Sequence, residues 1–299
     1  MSARLLLLCP GQGGQHPGMN ALAAADPAAA RLLAQAPLPD GALFDNRVAQ
    51  PAVVASTLAM WEALRPRLAA LSLRPALVAG YSVGELAAYG VAGAFTPSDA
   101  IALAHQRAAL MNQASDGEQG LAAVSGIVVK QLAGLAATVG CEIAIVNGAD
   151  SAVVGGPAAQ LPALRELAEA QGARVQRLPV AVAAHTSLLR GAVAPFAQAL
   201  ASMPFARPAW PVLAGVDGSS VLDRGAAIDA LSRQLAETIH WAACMDAAVE
   251  SGITVALELG PGAALAKMMQ GRHPAVSCRS VAEFRSLEGV VGWISRQLI

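Results

Sequence analysis

The sequence contains few charged residues, few aromatic residues and no bias toward either sign of charge. Charged residues make up 14% of the 299 residues, and 20 basic against 21 acidic side chains leave a formal net charge of −1. A broad electrostatic surface for nucleic acid or for an anionic membrane is therefore not expected. Apolar residues reach 55%, but no apolar run approaches the ~20 residues that a spanning helix needs. We therefore predict a protein that binds neither nucleic acid nor membrane.

Paired cysteines are also absent. Four cysteines are scattered along the chain without the spacing of a zinc site or a disulfide framework: Cys9, Cys141, Cys244 and Cys278. Unpaired cysteines suit a reducing compartment, so we predict a cytoplasmic protein. The apolar run at residues 5–9 is too short for a signal peptide and is followed directly by a glycine-rich loop, which favours a first buried strand.

Short apolar segments that end in glycine-rich loops recur along the chain. Three of them are residues 5–9, 76–80 and 255–259, and Ala-rich stretches lie between them. This alternation predicts an α/β fold in which a parallel sheet is covered by helices on both faces. One helix is marked by Thr96 as the N-cap residue and by Pro97 at the first helical position.

The middle of the chain has a different order of elements. Two short strands joined by the turn dipeptide Asn147-Gly148 are flanked on each side by a helix and then a strand. The predicted elements are strands at 121–128, 141–146, 151–155 and 173–180 and helices at 130–138 and 158–171. The order β-α-β-β-α-β is typical of a ferredoxin-like domain. We therefore predict a ferredoxin-like small domain at 119–186, inserted into a large α/β domain made of residues 1–118 and 187–299.

The clearest chemical signal is the pattern Gly-x-Ser-x-Gly at residues 80–84, which contains Ser82. It follows an apolar strand and opens a helical stretch, the context in which this pattern forms a sharp turn that presents a nucleophilic serine. A glycine on each side of the serine lets the backbone turn without a Cβ clash. The N–H of Val83, at the start of the helix, is placed to stabilise an oxyanion. The alternative is a glycine-rich loop with an incidental serine.

A serine nucleophile needs a base within hydrogen-bonding distance, and the chain contains five histidines. His185 is favoured because it stands where the predicted insert returns to the large domain, beside the expected cleft. His16 and His240 remain alternatives. His105 falls in a helical stretch and His273 precedes a proline, so packing or surface roles are expected for both.

Two further features have both a structural and a functional interpretation. Residues 11–15 form a glycine-rich loop after the first strand, which is either a simple turn or a set of backbone N–H groups presented to an anion. The loop lacks the pattern of a nucleotide-binding P-loop. Arg107 lies in a helical stretch, either as a surface arginine with its aliphatic stem packed down or as a bidentate clamp for a carboxylate.

Taken together, these segments resemble the family of malonyl-CoA:acyl carrier protein transacylases, which includes the acyltransferase domains of fatty-acid and polyketide synthases. The resemblance covers nearly the whole chain. Seven landmarks of the family have counterparts here in the same order, at residues 10–13, 80–85, 106–111, 145–156, 185–189, 233–241 and 258–262. Seven landmarks in order are far more specific than any one of them alone.

The resemblance implies roles for individual residues. Ser82 would be the nucleophile and His185 the general base. The main-chain carbonyl of Gln234 would orient His185 in place of a triad aspartate. Arg107 would hold the free carboxylate of the acyl group.

The resemblance also implies the fold, the substrate and the partner. The large domain would be α/β-hydrolase-like, and the N–H groups of Gln12 and Val83 would form the oxyanion hole. Malonyl-CoA would deliver the malonyl group, and the phosphopantetheine-type thiol of an acyl carrier protein would receive it. No metal and no bound redox cofactor is implied.

Tyr81 departs from the family pattern, because most members have histidine at this position. A subgroup with tyrosine there is the epsilon subunit of bacterial malonate decarboxylase, which loads malonyl onto the carrier subunit of its own complex. Residues 283–293 also resemble that subgroup. We therefore predict malonyl transfer for malonate decarboxylase, with the fatty-acid-synthesis transacylase as the nearest alternative.

Two other functions would use the same residues differently. An α/β-hydrolase esterase places an acid between its serine and its histidine in chain order. The acids in that interval include Asp99, Asp116, Glu142 and Asp150. The predicted insert and Arg107 argue against an esterase. A non-catalytic scaffold that binds a carrier protein is the alternative of another class, and the joint presence of Ser82, His185 and Arg107 argues against it.

Overall fold

Ten strands form two sheets in the computed structural model, which describes residues 3–36 and 41–298. In chain order the strands are β1 (Leu5–Cys9), β2 (Pro75–Gly80), β3 (Gln119–Ser125), β4 (Glu142–Val146), β5 (Ser151–Pro157), β6 (Arg174–Arg177), β7 (Val212–Leu213), β8 (Ser220–Val221), β9 (Val255–Glu258) and β10 (Ser277–Ser280). The main sheet has the order β10-β9-β1-β2-β7-β8, and the second sheet has the order β4-β5-β3-β6.

Helices connect the strands of both sheets. Over the described residues they are α1 (Pro27–Gln35), α2 (Asn46–Ala70), α3 (Val83–Val91), α4 (Pro97–Ala114), α5 (Val129–Thr138), α6 (Leu161–Glu169), α7 (Arg190–Ser202), α8 (Arg224–Arg233), α9 (Trp241–Glu250), α10 (Ala264–Arg272) and α11 (Leu287–Leu298). Short 3-10 turns lie at Ala23–Ala25, Ala158–Gln160, Ser187–Leu189 and Val281–Glu283.

Strand β1 lies at the centre of the main sheet, parallel to β2 on one side and to β9 on the other. β10 and β7 extend the parallel sheet, and only the edge pair β7–β8 is antiparallel. Every side chain of β1 is buried, as expected for a strand that helices cover on both faces. The predicted parallel sheet is confirmed. Because the strands are parallel, the loops that follow β1, β2 and β9 meet at one edge of the sheet.

Helix α2 is the longest helix of the described chain, and it packs against α1, α3 and α4. Most of its 25 residues are buried, and many of them are alanine or valine. Small side chains of this kind let neighbouring helices approach closely. Despite this burial, no helix of the described chain is long and apolar enough to cross a membrane.

The second sheet is antiparallel between every neighbouring pair of strands. Its elements follow in the chain order β3, α5, β4, β5, α6, β6, so the predicted βαββαβ order is confirmed. The two helices and the strands enclose a small core of their own, which includes Val124, Leu132, Val154 and Leu164. The division into 1–118, 119–186 and 187–299 stays a prediction, and residues 1, 2, 37–40 and 299 lie outside the described residues.

The ends of three predicted strands differ in the structure: β3 and β6 end earlier than predicted, and β5 ends later, at residue 157. β3 ends before Gly126, which has a φ of +88°. Glycine adopts this positive φ readily, but a β-strand needs a negative φ, so the strand stops there. β6 ends at residue 177. The N–H of Leu178 still donates to the carbonyl of Leu121 at 2.9 Å. The predicted helix 158–171 is shorter, with a 3-10 turn before α6.

Backbone and side-chain hydrogen bonds join the second sheet to segments outside it, at Ile239 and Ser187. The N–H of Ile239 donates to the carbonyl of Ala144 at 3.0 Å, and the carbonyl of Ile239 accepts from the N–H of Val146 at 2.8 Å. Both the N–H and the hydroxyl of Ser187 donate to the carboxylate of Glu142. These bonds fix the second sheet beside the segments that follow α8 and precede α7.

Candidate active site

Ser82 occupies a sharp turn between β2 and α3. Its φ of +56° and ψ of −121° lie outside the regions that a residue with a Cβ favours. Two glycines permit the turn, because backbone atoms approach them too closely to leave room for a Cβ. A Cβ on Gly80 would lie 2.2 Å from the carbonyl oxygen of Gly84, and a Cβ on Gly84 would lie 2.2 Å from the carbonyl oxygen of Cys9. The turn therefore holds Ser82 in a strained conformation, which is characteristic of functional sites.

The loop after β1 packs directly against this turn. A Cβ on Gly11 would lie 2.7 Å from the carbonyl oxygen of Tyr81 and 3.6 Å from the Cβ of Ser82. Val83 is the first residue of α3, where backbone N–H groups have no acceptor within the helix. The structure thus brings Val83 and the loop that contains Gln12 to the neighbourhood of Ser82.

His185 lies in hydrogen-bonding contact with Ser82. Its Nε2 is 2.7 Å from the Oγ of Ser82, and its Nδ1 donates to the main-chain carbonyl of Gln234. Because a carbonyl oxygen only accepts, Nδ1 carries the proton and the lone pair of Nε2 faces the serine hydroxyl. The backbone N–H of His185 donates to the carbonyl of Leu235 at 2.9 Å, and its φ is +65°. The imidazole is therefore held in the tautomer and direction needed to take a proton from Ser82.

The surroundings of His185 keep it neutral. The side chain is buried, and burial together with the positive charge of Arg107 lowers the pKa of His185 to about 3, against a smaller raising effect of the Gln234 carbonyl. A neutral imidazole is the form that accepts a proton. The site is thus poised for base chemistry at neutral pH.

Arg107 lies on α4 with its guanidinium buried beside Ser82. The residue is 1% exposed, so the surface interpretation of this arginine is wrong. Nη1 donates to the Oε1 of Gln50 at 2.7 Å and lies 3.2 Å from the Sδ of Met111. Nη2 lies 3.4 Å from the Oγ of Ser82 and 3.3 Å from the Oε1 of Gln234. One half of the guanidinium is thus anchored in the core, and the other half faces the serine.

The charge of Arg107 makes the site suitable for an anion. Its guanidinium forms no ion pair with a carboxylate of the described chain. Burial lowers the pKa of Arg107 to about 9, and the nearby Glu85 partly opposes that effect. A buried cation without a carboxylate partner is costly unless a ligand supplies the negative charge. The arrangement can therefore hold an acyl group that carries a carboxylate.

Comparison with known proteins identifies the family. Residues 6–286 match the acyl transferase domain. The chain belongs to the acyl transferase family. A malonyl CoA-acyl carrier protein transacylase of Mycobacterium bovis is 35% identical over 295 residues, which cover 93% of this chain and 96% of that protein.

Solved structures of the acyl transferase family share the fold over nearly the full length. The malonyl CoA-acyl carrier protein transacylase of Coxiella burnetii superposes with a TM-score of 0.90 at 25% identity, covering 100% of this chain and 99% of that one. A malonyl-transacylase in complex with its type II PKS acyl-carrier protein gives a TM-score of 0.90 at 26% identity, covering 97% of this chain and 99% of that one. The predicted α/β-hydrolase-like domain with a ferredoxin-like second unit is confirmed.

The structure places the alternative histidines in other settings. His16 is exposed in the loop after β1, and His240 is exposed at the N-cap of α9. His273 follows α10, and its Nε2 lies 2.8 Å from the carboxylate of Asp246. His105 lies on α4. Among the candidates left open by the sequence, the geometry therefore favours His185 as the partner of Ser82.

The esterase alternative requires an acid at Nδ1 of His185. That position is occupied by the main-chain carbonyl of Gln234. Of the acids between the serine and the histidine, Asp99 lies in the first turn of α4, and Glu142 accepts from Ser187. The contacts of His185 therefore argue against an esterase.

The sequence patterns did not predict the polar side chains behind the buried guanidinium. Asn46 and Gln50 stand one turn apart on α2, and the Nε2 of Gln50 donates to the Oδ1 of Asn46 at 2.6 Å. Two amide side chains at this spacing in an Ala- and Val-rich helix are the signal that could have shown them. The fully buried Glu85 accepts from the N–H of Gly215 and from the Nε2 of Gln234, each at 2.8 Å.

Proposed function

We propose that this chain is a malonyl-CoA:acyl carrier protein transacylase that holds the malonyl group as an ester on Ser82. The observation that carries the proposal is the buried guanidinium of Arg107, whose Nη2 lies 3.4 Å from the oxygen that would bear the acyl group. Malonyl is a short acyl group with a carboxylate at its far end, which suits a cation this close to the serine. The names of the similar proteins support the same substrate and the same type of partner.

The first half-reaction forms the ester. Nε2 of His185 takes the proton from Ser82 as Oγ attacks the thioester carbonyl carbon of malonyl-CoA. The carbon–oxygen bond forms, and the carbonyl electrons move onto the oxygen. When the tetrahedral intermediate collapses, the carbon–sulfur bond breaks and the CoA thiolate leaves with the proton that His185 returns. The carbonyl of Gln234 holds the imidazole in place throughout.

The tetrahedral intermediate carries a negative oxygen, which we assign to the backbone N–H groups of Gln12 and Val83. Val83 follows Ser82 at the first position of α3, and Gln12 follows Gly11, whose Cβ position lies 3.6 Å from the Cβ of Ser82. Fixed backbone donors aimed at a developing charge are a large source of rate enhancement, and losing one such donor typically costs about 10²–10³ in rate.

Arg107 supplies the preference for a carboxylated acyl group. The carboxylate of malonyl forms an ion pair with the buried guanidinium, whereas acetyl has no carboxylate and would leave the guanidinium without an anionic partner. Leaving a buried charge unpaired costs about 3–5 kcal/mol, so we expect malonyl to be favoured by roughly 10²-fold or more.

The second half-reaction repeats the first in reverse. The thiol of a phosphopantetheine-type arm attacks the ester carbon, His185 takes the thiol proton, and Ser82 leaves with that proton. Water must be kept from the ester, because hydrolysis would release free malonate. This chemistry uses only side chains, backbone donors and the two thiols, so we propose that no metal and no bound redox cofactor takes part.

Two carrier proteins could receive the malonyl group. Transfer to the acyl carrier protein of fatty-acid synthesis fits the similar proteins at least as well as transfer to the malonate decarboxylase carrier. Tyr81 and residues 283–293 favour the malonate decarboxylase carrier, which stays a prediction. The four cysteines are unpaired and buried, which supports a cytoplasmic location.

The test is to incubate the protein with malonyl-CoA, without a carrier, and to measure its intact mass. We expect a malonyl adduct in the wild type and none in Ser82→Ala. Ser72→Ala is the matched control, because Ser72 also has a positive φ, +58°, but lies exposed between α2 and β2. It should keep the adduct. Arg107→Ala should lose the preference for malonyl over acetyl.

The other outcomes separate the alternative functions. Steady release of free malonate without an adduct would indicate a hydrolase. A protein that forms no adduct and releases no malonate would be a scaffold. Once an adduct is established, its transfer rates to a fatty-acid acyl carrier protein and to a malonate decarboxylase carrier subunit distinguish the two partners.

A further inference from the structure

Glu85 is a buried carboxyl group that the proposed transfer does not use. It stands three residues after Ser82 on α3 and is 0% exposed. Its Oε2 accepts two hydrogen bonds, each 2.8 Å long, from the backbone N–H of Gly215 and from the Nε2 of Gln234. Gly215 packs so closely that a Cβ there would lie 2.9 Å from the same oxygen. The position of Oε2, the atom that accepts from Gln234, is therefore fixed.

Gln234 connects Glu85 to both groups that flank Ser82. Because its Nε2 donates to Glu85, its Oε1 points the other way and accepts from the Nη2 of Arg107 at 3.3 Å. Its main-chain carbonyl accepts from the Nδ1 of His185. A single residue thus contacts both the base and the cation of the site, and Glu85 sets the orientation of its side chain.

The two halves of the Arg107 guanidinium have different anchors. Nη1 is held by Gln50 at 2.7 Å and by Met111 at 3.2 Å, both on the side of the core. Nη2 has Gln234 at 3.3 Å and Ser82 at 3.4 Å. The half that faces the acyl group therefore depends on Gln234 for its fixed acceptor.

We propose that Glu85 is a positioning residue for acyl selectivity, acting through Gln234 to direct Nη2 of Arg107 toward the carboxylate of the acyl group on Ser82. The inference rests on the proposed malonyl transfer. An amide side chain can turn over and exchange its oxygen for its NH₂ group. Without the acceptor on Glu85, the amide of Gln234 is free to present donors to a guanidinium that only donates. The two groups would then separate, and the clamp would lose its alignment.

The role needs an acceptor at Oε2 and does not need a charge. Burial raises the pKa of Glu85 to about 8, and the donors Gly215 and Gln234 and the charge of Arg107 work in the opposite direction. Both the neutral acid and the carboxylate keep lone pairs for these two donors. Glutamine at position 85 would also offer one oxygen to both, so Glu85→Gln should preserve selectivity.

The test compares acylation of Ser82 by malonyl-CoA and by acetyl-CoA in quenched time courses read by intact mass. The readout is the ratio of the two second-order rate constants, which a general loss of folded protein does not change. Glu85→Leu and Gln234→Leu should each lower the malonyl-to-acetyl ratio by roughly tenfold or more, the usual effect of losing one hydrogen bond to a charged group. Glu85→Gln should keep the ratio within about threefold of the wild type.

Glu258→Leu is the matched control. Glu258 is also a fully buried glutamate, and its Oε2 accepts from a backbone N–H at 2.8 Å, but it lies at the end of β9 and binds the start of α10. Its loss should lower stability without changing the ratio.

Two results would overturn the inference while leaving the proposed function intact. The first is an unchanged ratio in Glu85→Leu, with normal malonyl transfer by the wild type. The second is an equal fall of the ratio in Glu258→Leu. If Glu85→Leu does not fold, Glu85→Ala takes its place. A wild-type protein that forms no malonyl adduct would instead refute the proposed function itself.

Discussion

Replacing Gly84 by alanine should push the nucleophile turn away from the first strand. A Cβ at this position would lie 2.2 Å from the carbonyl oxygen of Cys9 and 2.6 Å from that of Pro10. Ordinary contacts of a Cβ begin at 3.4 Å, so the turn must move by about 1.2 Å, the difference between 3.4 and 2.2 Å. Both obstructing atoms belong to the backbone, so no side-chain rotation can relieve the clash.

A displacement of this size should affect catalysis more than stability. Overpacking costs about 1–3 kcal/mol of stability. A misplacement of about 1 Å in reacting groups costs roughly 10²-fold in rate. Ser82 would move with Gly84, whereas His185 is held separately by Gln234 and Leu235, so the 2.7 Å contact between serine and histidine should lengthen. We expect folded Gly84→Ala protein whose Ser82 acylation is about 10²-fold slower.

The assay is acylation of Ser82 by malonyl-CoA in a rapid-quench time course, with the free energy of unfolding measured by urea denaturation. Gly134→Ala is the matched control, because Gly134 is exposed on α5 and a Cβ there meets nothing within 4 Å. Alanine at position 134 should add up to about 1 kcal/mol of stability and leave acylation unchanged. A Gly84→Ala protein that acylates at the wild-type rate would refute the account of the turn.

Three further predictions concern pH and one side-chain contact. Because burial lowers the pKa of His185 to about 3, the rate of Ser82 acylation should stay level from about pH 7 to about pH 5 in a rapid-quench series. An inflection near 6.5, the ordinary histidine value, would contradict this. The same lowered pKa means that below pH 6.5 the unfolded chain gains a proton that the folded chain does not, so stability is lost as the pH falls. Between pH 7 and pH 5 the wild type should therefore lose about 2 kcal/mol relative to His185→Gln, as measured by urea denaturation of both proteins at both pH values. An equal pH dependence in the two proteins would count against it. Tyr81→Phe removes a hydrogen bond of 3.1 Å to the Oδ1 of Asn147 and should lower the free energy of unfolding by about 1 kcal/mol. A double-mutant cycle with Asn147→Ala that gives no coupling energy would show that this bond contributes nothing.

The elements that position the nucleophile could be predicted because their signals are local. β1 and β2 are short apolar runs that end at glycines, and the glycines at 80 and 84 are required by contacts with backbone atoms a few residues away or in the next strand. The βαββαβ order was predictable for the same reason, since each strand, helix and turn has its own composition. Errors arose at the ends of strands, where a single residue such as Gly126 decides the boundary.

The contacts that complete the site join distant parts of the chain, and local patterns do not contain them. Arg107 sits among alanines and leucines, which suit a surface arginine as well as a buried one. Its acceptors Gln50 and Gln234 are 57 and 127 residues away. Gln234 also contacts His185 through its main-chain carbonyl, a group that every residue has, so only the family resemblance pointed to it. No local pattern indicates the contact of Glu85, because its partner Gln234 is 149 residues away along the chain.

Single-turnover transfer tests the central claim most directly. Ser82 is loaded with malonyl from malonyl-CoA, free CoA is removed, and a carrier protein is added with or without its phosphopantetheine arm. The account predicts that malonyl leaves the enzyme and appears on the carrier only when the arm is present, as read by the intact mass of both proteins. Loss of malonyl to free malonate at the same rate with either form of the carrier would contradict it.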